Sequence, residues 1–543
     1  MAKFNVPVTQ ETRRGRLTSP VMSVPVPGAR TYEGAVATAR DPKSELFLLG
    51  TTNFVSEGTF YEGKKERDAR YTALVRQVAV QDPEWLAFFA HWLRVSGNMR
   101  SAPVVLAAEA VAARLASGSH GWSRKLVDAV LQRPDEPGEF LAYWESRWGT
   151  EFPMSVKRGV ADAVTRMYTE RAYTKYDSST KGWRFSDVLT ISHARPKASW
   201  QAALFEHIVN DRYGRAESIA EGLQLLRQRK ELLALPVSDR RAVLATPDRL
   251  RVAGFTWEAL SGWLQGPMDA QAWEAIIPSM NVMALIRNLR NFDQAEISDE
   301  VAQLVIAKIT DQAEVVKSRT FPMRWLSAYN HVPSDRWKHA LSIGASHTLS
   351  NVPKLGGRTL IMVDVSSSMD NTFSKDGTLQ RWDAAAVFGI ALGKANAPNA
   401  TVSAFSSQQT YYGDPRGART KTFELRKGAN VLNELARWKS EGYFMGGGTE
   451  TAMALRQLYD SHDRVVILTD EQASQAGYAE VGDALPAHVP LYTWNLAGYE
   501  YGHASSGTGN RHTFGGLTDA AFSTIAQLES MQAGRWPWEG SLS

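Results

Sequence analysis

From about residue 64 to 350 of this chain, apolar side chains recur three and four positions apart; after residue 358 they come in short solid runs. The first rhythm predicts helices that bury one face, and the second predicts strands buried on both faces. Trp85, Phe88, Phe89, Trp92 and Val95 follow Asp82-Pro83, an N-cap with proline at the first helical position. Ser101 to Ala116 is an alanine- and valine-rich buried helix. Further helices are predicted near 121–132, 138–147, 156–173, 199–211, 216–233, 256–264, 270–290, 298–317 and 323–330, joined by short connections with Gly, Pro, Asp or Ser. Residues 1–45 are predicted extended, because the prolines between Thr18 and Gly28 cannot sustain a helix.

From 358 the chain alternates strand and helix. Strands are predicted near 359–364, 400–406, 464–469 and 490–496, and helices near 380–395, 428–439, 449–460 and 517–531. That alternation implies a parallel, doubly wound α/β sheet. The helices before it show no strict repeat, but so many are hard to close around one core. Stacked pairs in an α-solenoid of the HEAT type fit better than a bundle. At 543 residues the chain exceeds a single core. The predicted organisation is an extended segment over 1–45, helical repeats over 46–355 and an α/β domain over 356–543.

Composition narrows the chemistry. There is no cysteine, which excludes disulfides, thiolate metal sites and cysteine nucleophiles, and favours a reducing, cytoplasmic setting. Met1 to Pro20 has no apolar core and carries Arg13-Arg14-Gly15-Arg16, unlike a secretory signal. No apolar run reaches the length of a spanning helix, so no membrane partner is expected. Of 61 Lys+Arg and 57 Asp+Glu, 15 and 19 lie from Gly356 onward, which leaves 46 and 38 in the first 355 residues. The helical part is basic and the α/β part acidic. A basic first part is the electrostatic precondition for a polyanion partner.

Asp364-Val365-Ser366-Ser367-Ser368-Met369 follows the apolar run Leu360–Val363 and sets one carboxylate and two hydroxyls in a tight loop. Gly446-Gly447-Gly448-Thr449-Glu450 is a second loop, and Arg464 to Thr469 is a second buried strand ending at Asp470. Asp364, Ser366, Ser368, Thr449 and Asp470 thus fall in strand-end loops of one sheet, where α/β folds bind ligands. Hard oxygen donors suit a divalent cation such as Mg2+ rather than zinc or copper. These residues resemble the von Willebrand factor A domain and its metal-ion-dependent adhesion site. The resemblance implies a cation with one open position, often filled by an acidic group of a partner.

Lys181-Gly182-Trp183-Arg184-Phe185-Ser186-Asp187-Val188-Leu189-Thr190-Ile191-Ser192-His193-Ala194-Arg195-Pro196-Lys197 resembles a segment of the TROVE module of the Ro autoantigen family. Phe54 to Tyr61 and Met283 to Leu289 resemble two other parts of it. A TROVE module followed by a von Willebrand A domain is the pattern of bacterial-type Ro proteins. The resemblance implies a monomeric ring of HEAT-like repeats whose ends the C-terminal domain joins. It implies Y RNA-like noncoding RNA on the outer face, with His193 and Lys175 as contacts, and single-stranded 3′ ends of misfolded RNA in the hole. It implies a 3′-to-5′ exoribonuclease partner such as polynucleotide phosphorylase, in RNA decay or ribosomal RNA maturation.

Read from the residues alone, Lys175, Lys181, Arg184, His193, Arg195 and Lys197 form a run of phosphate donors, which Lys157 and Arg158 could extend. Trp183 fits a packing anchor better than a base-stacking platform. No catalytic constellation is visible, so the chain is expected not to be an enzyme. Two other functions are compatible with the motifs: a metal-dependent protein–protein adaptor without RNA, and a magnesium-dependent nuclease.

Overall fold

The computed structural model describes residues 18–216, 218–350, 352–373, 379–408, 417–474, 480–507, 509–529 and 534–539. The run Arg13-Arg14-Gly15-Arg16 and the end of the helix predicted over 517–531 lie outside them. Helices fill the stretch from Pro42 to His347, and a six-stranded sheet begins at Thr359.

Several predicted helices appear as two. The stretch 156–173 is divided into Met154–Met167 and Glu170–Tyr176, where the Thr169 side chain accepts from the Ala172 N–H. The stretch 298–317 is divided at Asp311, and 270–290 at Asn281, each of which caps the helix after it. A side-chain cap supplies an acceptor for an orphan N–H, so it starts a new helix in an unbroken apolar pattern. The helix predicted from 216 starts only at Gln224. The helix Pro42–Thr52 departs from the expected extension of 1–45: Asp41 caps it through the N–H groups of Lys43 and Ser44, and Pro42 occupies its first position.

Strands β1 (Ser23–Val24) and β2 (Ala39–Arg40) form a small antiparallel pair. The main sheet has the order β5–β4–β3–β6–β7–β8, with β3 at Thr359–Asp364, β4 at Ala400–Ser407, β5 at Ala418–Phe423, β6 at Arg464–Thr469, β7 at Leu491–Asn495 and β8 at Arg511–Gly515. Its pairs are parallel except β4–β5, so the sheet is mixed rather than wholly parallel. The chain runs outward from β3 to β4 and returns to β6 on the other side of β3. The crevice between the ends of β3 and β6 is therefore a topological switch point.

The sheet domain touches both ends of the helical array. Helix Lys338–His347 packs on helix Val431–Ser440, and helix Pro42–Thr52 packs on β8. One apolar core runs from Leu232 through Trp325 and Trp337 into Ile361, Phe388 and Trp494. Gly498, at φ +67°, lets its loop lie against helix Pro42–Thr52; a Cβ there would stand 2.6 Å from the Thr52 hydroxyl. Arg70 bonds the Gly498 carbonyl at 2.8 Å and also pairs with Glu45 and Glu62.

Both flanking segments tighten this closure. The segment before helix Pro42–Thr52 is laid on the sheet domain through Ser23 N–H to Ser506 O, Thr38 N–H to Gly502 O and Ala35 N–H to Ala473 O. At the other end, Trp536 and Trp538 stack on each other and insert among Phe47, Trp85, Phe89 and Trp92 of the first helices. Removing a buried indole leaves a cavity that the surroundings close only in part. Trp538→Ala is expected to cost about 3 kcal/mol in chemical denaturation. A change under about 1 kcal/mol would show that the C-terminal segment does not hold the early helices.

Candidate functional site

The oxygen donors foreseen at the sheet's edge converge. Asp364 ends β3 and Asp470 follows β6; both are buried, as are Ser366, Ser368 and Thr449. The Asp364 carboxylate accepts from the Ser366 N–H at 3.0 Å and from the Thr469 hydroxyl at 2.6 Å. The Ser366 and Ser368 hydroxyls are 3.2 Å apart. Ser367 N–H bonds the Gly447 carbonyl and the Ser367 hydroxyl accepts from the Gly447 N–H, so the glycine loop is strapped to the serine loop. Gly446 and Gly447 take positive φ in making that turn.

Two buried donors are left over: the Thr449 hydroxyl and the Oδ2 of Asp470 have no hydrogen-bond partner. Buried polar atoms are costly unless something binds them, and here both are ones that a cation of hard character would take. The residues therefore fit a Mg2+-like ion. Among the described residues, no three His, Cys, Asp or Glu side chains form a metal cage by themselves, so such an ion leans on the hydroxyls. His462 lies at the opposite end of β6, bonded to Thr401.

Two further groups at this site escaped the sequence. Glu33, from the segment laid on the sheet domain, accepts from the Thr449 N–H and from the Tyr61 hydroxyl, each at 2.9 Å. Arg381, buried at the start of its helix, faces Asp470 electrostatically. Burial raises the carboxyl of Glu33 to about 7 and that of Asp364 to about 6. Asp470 is raised to about 7 by burial and then by the Asp364 charge beside it.

The basic residues form two surfaces. Lys157, Arg158, His193, Arg195 and Lys197 line an open groove of about 840 Å³ with Arg124 and Arg166. Arg124 is paired with Asp162 and Arg166 with Asp128. The five others have no ion pair among the described residues. His193 is exposed in the left-handed region at φ 52°, ending helix Phe185–Ser192. Lys175 stands elsewhere: its ammonium lies 5.0 Å from the Tyr176 ring centre, across which Arg133 also lies. Lys181 joins that second group, 3.4 Å from Asp135, which also pairs with Arg133 and Arg100. Arg184 is turned inward onto Asp177, whose carboxylate also holds the N–H that opens the helix. Trp183 donates to Glu145 and meets Phe152 edge-on, as a packing anchor does.

The residues of the second surface were not foreseen. A cavity of about 1060 Å³ lies between early and late helices, which come face to face across it. Its walls carry Arg94, Arg100 and Arg133 on one side and Arg287, Arg290, Lys317, Arg319 and Arg324 on the other, and no carboxylate among the described residues lines it. Arg94, Arg100 and Arg133 are neutralised by Asp135, Glu136 and Glu139. Arg287, Arg290, Arg319 and Arg324 have no ion pair among the described residues. These arginines are scattered singly along the sequence, and only the curvature of the helical array gathers them.

A TROVE domain family model matches residues 253–367, from the last third of the helical array into β3 and the Asp364 loop. The Ro protein (RSR) of Deinococcus radiodurans, known from a crystal structure, is similar over 90% of this chain and 99% of its own, at 17% identity and a TM-score of 0.59. The chain carries a TROVE-domain match and has the fold of that Ro protein. The matched range includes Met283 to Leu289; the segments 54–61 and 181–197 lie outside it. It also crosses the boundary expected at 355/356. No described helix is long and apolar enough to cross a membrane.

The metal-free site has a definite pH signature. In an unfolded chain Asp364 and Asp470 titrate near 3.8, and folding raises both. Their contribution to stability is therefore full below pH 3.8 and is lost as pH rises through 6 to 7. His503 and His512, held neutral by burial at about 3 and about 4, act in the opposite sense and lose stability as pH falls below 6.5. The comparison must therefore be between variants. Asp470→Asn is expected to gain stability over wild type in the absence of metal as pH goes from about 5 to about 8, by thermal melting. A difference that does not grow with pH would refute the assignment.

Proposed function

We propose that this TROVE protein binds RNA on two surfaces. Structured noncoding RNA of the Y RNA type lies in the outer groove around His193, Arg158, Arg195 and Lys197. A single-stranded 3′ end of a misfolded or maturing RNA enters the cavity between early and late helices. The observation that carries this reading is that cavity: among the described residues eight Arg and Lys and no acid line it, in a fold that brings distant helices together. A passage that neutralises backbone phosphates binds single strands without sequence preference and with strong salt dependence.

The two surfaces meet. Arg166 of the groove bonds Gln132, which lines the cavity. An RNA held outside can therefore pass its end inward, or a bound noncoding RNA can gate the entry. Lys175 and Lys181, beside Arg133, sit along this path rather than in the groove, and Arg184 serves the fold.

The chain itself is proposed to be non-catalytic. It would deliver RNA ends to a 3′-to-5′ exoribonuclease such as polynucleotide phosphorylase in decay or ribosomal RNA maturation, as a monomeric ring in the cytoplasm. Asp364, Ser366, Ser368, Thr449 and Asp470 would hold Mg2+, supplying a local positive charge that neutralises buried carboxylates.

The two-surface reading separates in a filter or anisotropy titration. Arg158→Ala with Lys197→Ala is expected to weaken binding of a structured RNA and to lower the slope of log affinity against log salt by roughly 1 to 2. Arg287→Ala with Arg290→Ala should leave that RNA bound and weaken an RNA with a single-stranded 3′ tail about tenfold or more. Equal effects of both pairs on both RNAs would refute two surfaces, and no effect of either would refute RNA binding by these faces.

A further inference from the structure

Residues 31–35 form a tight turn, closed by Thr31 N–H to Ala35 O and Gly34 N–H to Thr31 O. It is pinned from both sides to the loop after β6. The Thr31 hydroxyl donates to the Ala473 carbonyl, Tyr32 N–H to the Gln472 side chain at 2.9 Å, and Ala35 N–H to Ala473 O. Gly34 pairs with Ser474, whose N–H in turn bonds the Thr449 carbonyl. Tyr32 is stacked on Tyr61 at 4.8 Å, and Tyr61 donates to Glu33. This turn is therefore a fixed bracket, and the residue at its tip is an acid.

The bracket aims that acid at the donor set. One oxygen of Glu33 accepts the backbone N–H of Thr449, the residue whose buried hydroxyl has no partner, and the carboxylate is within electrostatic reach of Asp364 and Asp470. Without a cation, Asp364, Asp470 and the half-buried Glu33 lie within electrostatic reach of one another, with Arg381 facing Asp470. With one, the two unpartnered donors and the acid from the strap all gain a partner. We propose that Glu33 is a built-in ligand of the adhesion site: it occupies the position at which the carboxylate of another protein would complete the cation's shell. The cation then fastens the N-terminal strap to the sheet domain, and an outside acid enters only by displacing Glu33. This rests on the reading that the five oxygen donors hold a divalent cation.

Mn2+ is a suitable probe for the full-length chain, by its electron paramagnetic resonance signal. Wild type is expected to bind Mn2+, and Glu33→Gln to bind it on the order of tenfold more weakly or worse. Tyr61→Phe, which keeps the carboxylate, should change affinity little. Millimolar acetate should restore Mn2+ binding to Glu33→Gln and leave the wild-type signal unaltered. In wild type, Mg2+ should also slow proteolysis between residues 18 and 40, and in Glu33→Gln it should not. Absence of Mn2+ binding in wild type overturns the cation reading and this proposal together. Mn2+ binding that is equal in wild type and Glu33→Gln overturns the internal ligand alone. If Glu33→Gln does not fold, the wild-type measurement decides: a signal altered by acetate shows an open position and overturns the proposal.

Discussion

One buried ion pair anchors the N-terminal strap in the closure of this molecule. Arg40, at the end of the N-terminal strap, meets Glu471, the residue after Asp470, at 2.7 Å with both side chains out of solvent. Glu471 is held from the other side by the Asn495 amide at the end of β7. Breaking such a pair from one side leaves a bare charge in the interior, which costs far more than the pair contributes when whole. The strap therefore either lies on the sheet domain completely or leaves it completely. Because helix Pro42–Thr52 follows directly, the same pair sets where the helical array begins relative to the domain on which it ends.

That constraint explains why charge is divided as it is. A helical array bent until its ends meet must face itself across a gap, and whatever lines the gap cannot be neutralised by packing. Early arginines at the gap are tied to Asp135, Glu136 and Glu139, whereas those contributed by the later helices are not. Such a surface is stable only because water, salt or a polyanion screens it. Closure thus creates the charged passage, and an RNA backbone is the kind of ligand that relieves its repulsion.

What the sequence revealed follows how local each signal is. Strands β3 and β6 were legible at their ends because both faces are buried and the apolar run is solid. The polar edge strand β5, Ala-Arg-Thr-Lys-Thr-Phe, has no such signal and was missed, as was the short β8. Helix Pro42–Thr52 carried the same Asp-Pro start as Asp82-Pro83, but the neighbouring prolines outweighed it. The convergence of Asp364, Ser366, Ser368 and Asp470 was legible because each sits in a loop that directly follows β3 or β6, and that of Thr449 because its glycine loop leads into a helix. Glu33 and Thr449 are 416 positions apart, and no pattern in a single sequence joins them. The arginines of the cavity were hidden for the same reason, and Arg184 was placed among the RNA contacts because sequence cannot show that Asp177 claims it.

The cluster of oxygen donors and the cavity are both reached from the loop between Asn53 and helix Lys64–Gln81. Tyr61, which holds Glu33, lies at the end of the loop after Asn53 and just before helix Lys64–Gln81. Within that loop Phe54 meets Phe321, a residue lining the cavity, and Phe373 of the sheet domain. One loop therefore touches both the residue that reaches the oxygen donors and a wall of the cavity. The same loop thus holds Glu33 through Tyr61 and meets Phe321 and Phe373 through Phe54, so the closure that seats the strap on the sheet domain also sets one wall of the cavity.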